Sequence, residues 1–388
     1  MKIIQGKNNN KKTMPNVTLK TCESVCEGHP DKMCDQISDA VLDACLTVDP
    51  SSRVACECLI KDNNLIIAGE ITTLADLDFI GIAKTTLKQI GYSQSEIDGF
   101  NIQILVSKQS PDIAQGVDTG GAGDQGMMYG YATSETKEML PLPLLLSHQI
   151  CKRLAELRKA GNSPLRPDGK AQVTIKYLDG KPVSADSIII STQHVPEISQ
   201  KDLEEYIYNE VVIPVAGKWL KTGPVINPHL NSVQSENTKI YINPTGRFEV
   251  GGPFGDCGVT GRKLAVDTYG GIGRIGGGAF SGKDPSKVDR SAAYMARHLA
   301  KKLVSLGYGN EIEVRLAYAI GVAKPVDISV EIMSGEKAHE VEAVNFILNS
   351  YDLTPKGIIQ FLNLRRPIFQ QTASHGHFGR EEFEWEKV

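Results

Sequence analysis

One order of elements, helix, strand, strand, helix, recurs three times along these 388 residues and limits the folds open to the chain more than any other feature. In the first copy, Met33, Ile37, Val41 and Ala44/Cys45 recur at helical spacing within Pro30–Leu46. Two β-rich runs follow, Arg53–Ile60 and Leu65–Thr72, across the turn Asp62-Asn63-Asn64, and Leu77–Ile90 returns to helical spacing before Gly91. The second copy reads Leu142–Lys159, Ala171–Tyr177, Val183–Ser191 across Asp179-Gly180, and Gln200–Val212. The third reads Val288–Leu306, Glu311–Ile320, Val326–Ile332 and Ala338–Asn349. Residue identity between the copies is negligible, so what repeats is a supersecondary plan. Strands in adjacent pairs favour antiparallel hairpins over a doubly wound parallel sheet, and their alternating apolar residues predict sheets with one buried face. The expectation is an α+β chain of three similar domains, 19–120, 121–250 and 251–388, mostly antiparallel sheets with helices on one side, after a disordered extension 1–18.

Composition excludes several partners. No apolar run approaches the roughly 20 residues of a membrane-spanning helix. Residues 1–18 hold no apolar core of the kind a secretory signal needs. A net charge of −4 supplies no global basic field for nucleic acid, which points to a small-molecule partner. Seven of the eight cysteines lie before residue 152 and no Cys-x-x-Cys occurs, so reduced thiols in a cytoplasmic protein are expected.

Residues 251–282 carry 12 of the 37 glycines, a density that no helix or strand tolerates and that suits turns and close backbone approaches. From Gly251 to Arg290 the cations Arg262, Lys263, Arg274, Lys283, Lys287 and Arg290 outnumber Asp256, Asp267, Asp284 and Asp289. Amides and cations together suit a polyphosphate, although a structural loop with solvated charges fits the same letters. Gly277-x-x-x-x-Gly282-Lys283 begins like a Walker A loop but continues with Asp284 where a magnesium-binding hydroxyl belongs, and Gly271-x-Gly273-x-x-Gly276 follows from glycine density alone.

Glu27-Gly28-His29-Pro30-Asp31-Lys32 groups two carboxylates, an imidazole and an ammonium at a helix N-terminus, where amides and dipole favour an anion. The alternative is that Asp31 heads a solvated acidic stripe with Asp35, Asp39 and Asp43. Glu57 and Glu70 sit in strands among apolar neighbours, either buried beside a cation or facing water. Gln109 to Gly126 reads as a polar, glycine-hinged loop, and Arg166-Pro167-Asp168-Gly169-Lys170 as a loop rising into a strand. His148, His194, His298 and His375 read as structural. With no Gly-x-Ser-x-Gly, Cys-His or His-Glu-x-x-His signature, chemistry falls to positioning and electrostatics.

Taken together, Gly28-His29-Pro30-Asp31-Lys32, Gly69-Glu70-Ile71-Thr72-Thr73, Lys108-Gln109-Ser110-Pro111-Asp112-Ile113, Gly121-Ala122-Gly123-Asp124-Gln125-Gly126, Gly258-Val259-Thr260-Gly261-Arg262-Lys263 and the run Gly276 to Arg290 closely resemble the S-adenosylmethionine synthetases, from about Thr21 to Trp385. The resemblance implies three α+β domains about a pseudo-threefold axis, a homodimer with active sites at its interface, often a dimer of dimers, and synthesis of S-adenosyl-L-methionine from ATP and L-methionine with two Mg²⁺ and one K⁺. Carried over, His29, Lys170, Arg262 and Lys283 are catalytic. Asp168, Arg247, Phe248, Asp256, Lys263 and Ala279 complete the ATP site. Glu70, Gln109, Asp256 and Lys287 surround methionine, and Asp124 lies near the nucleoside. Asp31 and Asp289 bind Mg²⁺, and Glu57 binds K⁺. Three departures from the family pattern are the short loop Gly116–Gly121, the insertion-like Lys221–Thr238 and Ser163-Pro164-Leu165 ahead of Arg166. An ATPase or phosphotransferase, and a catalytically silent regulatory homologue, are the rival readings.

Overall fold

A computed structural model describes residues 15–108, 121–161, 163–221 and 238–388. Each of the three copies forms. The first is α1 (Pro30–Val48), β2 (Arg53–Lys61), β3 (Asn64–Thr72) and α2 (Phe79–Ile90), the last closed by Gly91 at φ 111°. The second is α3 (Leu142–Lys159), β6 (Leu165–Leu178), β7 (Lys181–His194) and α4 (Gln200–Ile207), and the third is α5 (Val288–Ser305), β10 (Glu311–Tyr318), β11 (Asp327–Ser334) and α6 (Glu340–Ser350). The two strands of each copy pair antiparallel, as their adjacency predicts.

Five further strands complete three sheets in an arrangement that local sequence cannot encode. β1 (Val17–Val25) precedes the first copy yet pairs antiparallel with β6 of the second. β5 (Gly126–Thr133) precedes the second and pairs with β10 of the third. β9 (Gly258–Val259) precedes the third and pairs with β2 of the first. Each copy thus donates its leading strand to the next in a closed cycle. β4 (Asn101–Ser107) and β8 (Lys239–Ile242) add parallel edges to β3 and β7. The sheets are therefore not confined to the segments 19–120, 121–250 and 251–388. Because β1 begins at Val17, the end of the 1–18 extension belongs to a strand.

The exchange explains the core. Each long helix covers its own copy's first strand together with the donated one: α1 lies on β2 and β9, α3 on β6 and β1, α5 on β10 and β5. Burial follows, with Val54, Cys56, Cys58 and Ile60 of β2 turned toward Met33, Ile37 and Val41 of α1. All eight cysteines are free thiols, and only Cys257 is exposed. No helix of the described residues is long and apolar enough to cross a membrane.

The C-terminal tail, residues 362–388, folds back over α1 and α5. The main-chain amides of Phe369 and Gln370 donate to the Asp43 carboxylate, and Trp385 stacks on Tyr294 at 4.0 Å. Burial pushes His148 and His375 down to about 3 and His298 to about 4. The unfolded chain binds these protons near pH 6.5 while the folded chain resists them, so their stabilisation is complete above 6.5 and is lost as the pH falls toward 4. His298→Gln is expected to make the decline in stability between pH 7 and 5 shallower by about 2 kcal/mol, read from urea unfolding at both pH values.

Candidate active site

α1 begins with Pro30 after His29, and the His29 ring caps it, its Nδ1 accepting the Asp31 amide proton at 3.2 Å. That bond leaves the neutral ring as the Nε2–H tautomer. Burial and the cations Lys263 and Lys170 push His29 down to about 4. The cap is held in place from behind: Gly28 donates to the Pro167 carbonyl and Cys26 to that of Gly169. A Cβ on Gly28 would fall 2.4 Å from the Pro167 carbonyl carbon, so only glycine fits there.

The acidic stripe of α1 is not solvated, which overturns that alternative. Asp31, Asp35 and Asp39 are buried, and each accepts a main-chain amide of the glycine-rich segment: Val259 to Asp31 at 3.0 Å, Gly261 to Asp35 at 2.8 Å, Gly282 to Asp39 at 2.8 Å. The period of four residues along one helix matches a row of orphan amides that burial would otherwise leave unpaired. Burial raises Asp31, but the Lys263 ammonium and the Val259 amide outweigh it and hold the carboxyl below its ordinary value.

The same segment completes the first sheet. The free edge of β2 is met by Gly258 and Thr260 at its far end and by Gly282 and Asp284 at its near end, where Cys56 donates to the Gly282 carbonyl at 2.9 Å. Gly282 sits at φ 79° with Cys56 O only 1.8 Å from where a Cβ would stand. Asp284 accepts Val54 N–H at 2.7 Å and Ser286 N–H at 2.9 Å and pairs with Lys287, so it is a staple between loop and strand. No strand runs into this loop as a Walker A motif requires.

A continuous series of contacts links most of the carried-over residues. Lys263 pairs with Asp31 beside His29. Ala279 packs against Gly261, Gly278 against Asp289, and Asp289 pairs with Lys283 at 2.7 Å. On the other side Asp168 Oδ2 accepts Gly252 N–H at 2.8 Å, while its buried Oδ1 has no hydrogen-bond partner among the described residues. Burial raises this carboxyl. Gly251 packs on Phe248, whose amide donates to His194 Nε2 at 3.0 Å, giving His194 a structural task. Lys170, Arg262 and Asp256 are exposed around this line, and Lys170 and Asp256 are close enough to act on the His29 charge.

Other residues stand apart within one chain. Glu57 and Glu70 are exposed on the sheet face turned away from α1, opposite Ala68 and Ala55. Asp124 is exposed before β5, and the Arg247 side chain is exposed near Glu249. Lys287 immediately precedes α5 and is held by Asp284. Gln109, the loop 116–120 and residues 222–237 lie outside the described residues. Two cations of the glycine-rich count do not join the cradle. Arg274 pairs with Glu313 and Glu331, and Arg290 is buried against Asp39. Glu27 is likewise taken by Arg158 and Lys159. Sequence reasoning missed Lys32, Asp35 and Asp39 as parts of the site's support; the only signal was their helical spacing beneath His29.

Among the described residues no three His, Cys, Asp or Glu side chains converge as a metal cage. Mg²⁺ needs only one or two carboxylates when phosphates and water complete its shell, and Asp31 and Asp289 each present one beside a lysine, which fits that mode. Glu57 is exposed and opposite Ala68 within one chain.

Three family models match in chain order: the S-adenosylmethionine synthetase N-terminal domain over residues 17–111, the central domain over 119–248 and the C-terminal domain over 250–387. The S-adenosylmethionine synthase of Clostridium tetani is 51% identical over 391 aligned residues, covering 95% of this chain and 97% of that protein. That of Desulfosudis oleivorans is 50% identical over 385, covering 95% and 96%. With all three domains matched and identity sustained along nearly the whole length, the chain belongs to the S-adenosylmethionine synthetase family.

Proposed function

We propose that this chain is a methionine adenosyltransferase in which the methionine sulfur attacks C5′ of ATP in line and the released tripolyphosphate is then cleaved to pyrophosphate and phosphate. A thioether has no proton to lose, so the attack asks for alignment and not for a general base. The harder task is to stabilise a leaving group carrying several negative charges. His29 Nε2–H donates toward the bridging oxygen, and Lys170, Arg262, Lys263 and Lys283 face the phosphates. Mg²⁺, held by Asp31 and Asp289, supplies further neutralisation when bound. Asp168 Oδ1, buried with no partner among the described residues, accepts a nucleoside hydroxyl; Arg247, Phe248, Asp256 and Ala279 complete that end of the site.

The observation that carries this reading is the buried His29 at the start of α1, which burial and the cations Lys263 and Lys170 favour as the neutral ring. Purified protein incubated with ATP, methionine, Mg²⁺ and K⁺ should yield a product of the mass of S-adenosylmethionine. Full-rate phosphate release without methionine and without that product would instead make it an ATPase.

Glu57, Glu70, Gln109, Lys287 and Asp124 serve methionine, K⁺ and the nucleoside in a homodimer. The support is the open face of the first sheet, where Leu105, 61% exposed, and Leu59, 40% exposed, flank Glu57 and Glu70. Apolar side chains on an uncovered sheet face mark an interface, and a second copy there would bring its own site beside these carboxylates. Leu105→Arg is expected to shift the mass in solution toward a single chain and to lower specific activity at least about tenfold. An unchanged dimer with full activity would remove this face from the interface. Seven buried thiols suit a reducing cytoplasm.

A further inference from the structure

Directly beneath His29 lies a fully buried charge triad, Lys32 and Asp35 on the same helix with Asp267, that no phosphate or methionine role explains. Lys32 Nζ stands 3.0 Å from Asp35 Oδ2 and 2.5 Å from Asp267 Oδ1, and all three residues are at most 3% exposed. Asp35 Oδ1 in turn accepts the Gly261 amide proton at 2.8 Å. Gly261 and Asp267 bound the stretch that carries Arg262 and Lys263. One end of that stretch is therefore held by Asp35 through the main chain, and the other by Lys32 through the Asp267 side chain. Gly261 adopts φ 78° and packs against Ala279, a position only glycine fills easily. Four residues further along α1, Asp39 repeats the device: it accepts Gly282 N–H, next to Lys283, and is fixed by Arg290, which also reaches the Lys283 carbonyl.

We infer that Lys32 and Asp35 are positioning residues: they set the Arg262-Lys263 loop relative to His29, and through Asp39 one turn of helix fixes its spacing from Lys283. Burying two carboxylates and an ammonium is costly, and a purely structural core would more cheaply use apolar groups. What the charges add is a defined register between one helix and two glycine-rich loops that join β2 through only a few main-chain hydrogen bonds. The inference rests on the assignment of those loops to the triphosphate.

The test compares Asp35→Ala with Asp35→Asn in the full-length protein. Alanine leaves Lys32 paired with Asp267 but strands the Gly261 amide; asparagine restores an acceptor. Asp35→Ala is expected to weaken binding of inorganic tripolyphosphate with Mg²⁺, and to lower kcat, each at least about tenfold, with the methionine KM within about twofold. Asp35→Asn should recover most of both. Full tripolyphosphate affinity and kcat in folded Asp35→Ala would overturn the inference, as would equal losses in the two variants. If Asp35→Ala does not accumulate as folded protein, Asp35→Glu, which pushes the acceptor outward by one methylene, carries the test: at least about fivefold weaker tripolyphosphate binding supports it and unchanged binding overturns it. Wild-type protein that makes no S-adenosylmethionine would fail the functional assignment itself, a separate result.

Discussion

Lys283→Met is expected to lower the rate of S-adenosylmethionine formation at least about a hundredfold while leaving the fold intact. Lys283 lies at the end of the loop stitched to β2, with its ammonium 2.7 Å from Asp289 and its side chain a quarter exposed. It is therefore not part of the core, and its removal strands no fully buried group. In the proposed transition state the charge leaving C5′ would spread over the phosphates, and one lost cation in such a site costs about 3–4 kcal/mol of barrier, or two to three powers of ten in rate. His29→Asn should lose a similar factor, because the amide keeps a cap for α1 but does not place a donor where Nε2–H stood. The measurement is turnover at saturating ATP and methionine beside a thermal unfolding curve. Near-normal rates in either variant would reject the proposed role for that residue.

Arg290→Met is expected to act in the opposite proportion, with stability falling first. Arg290 and Asp39 are both wholly buried, the guanidinium donating to the two carboxylate oxygens at 2.6 and 2.8 Å and lying 4.2 Å above the Phe369 ring. Removing the cation leaves a buried carboxylate uncompensated, a loss of about 3–5 kcal/mol. For a chain of this size that lowers the unfolding midpoint by on the order of ten degrees. Asp39→Asn on the Arg290→Met background should restore part of the midpoint, since it removes the stranded charge. An unshifted midpoint in Arg290→Met would show that the pair contributes nothing net.

These two variants separate what the letters conveyed from what they concealed. Lys283 stood in a motif specific enough to assign, whereas Arg290, fourteen letters from the start of that same run, read as one more phosphate cation. The difference is its neighbour: Asp39 lies far back in the chain, and only folding brings the two together. Asp35 and Asp39 read equally well as a wet stripe, because helical spacing says which residues share a face and not what covers it. Glu57 and Glu70 posed the same question in strands, and the answer was the outer face.

Chain order, the helix, strand, strand, helix plan in all three copies, the hairpins and the family itself were fixed by local periodicity and by motifs that need only neighbouring residues. The strand cycle, in which β1, β5 and β9 each join the sheet of the following copy, was decided by tertiary structure, because a strand's own pattern does not name its partner. The same holds for the site. Its cations are written in the sequence, but the loops that carry them are held by buried carboxylates on α1 meeting main-chain amides of the glycine-rich segment more than two hundred residues away, contacts whose energy exists only once water has been excluded from between them.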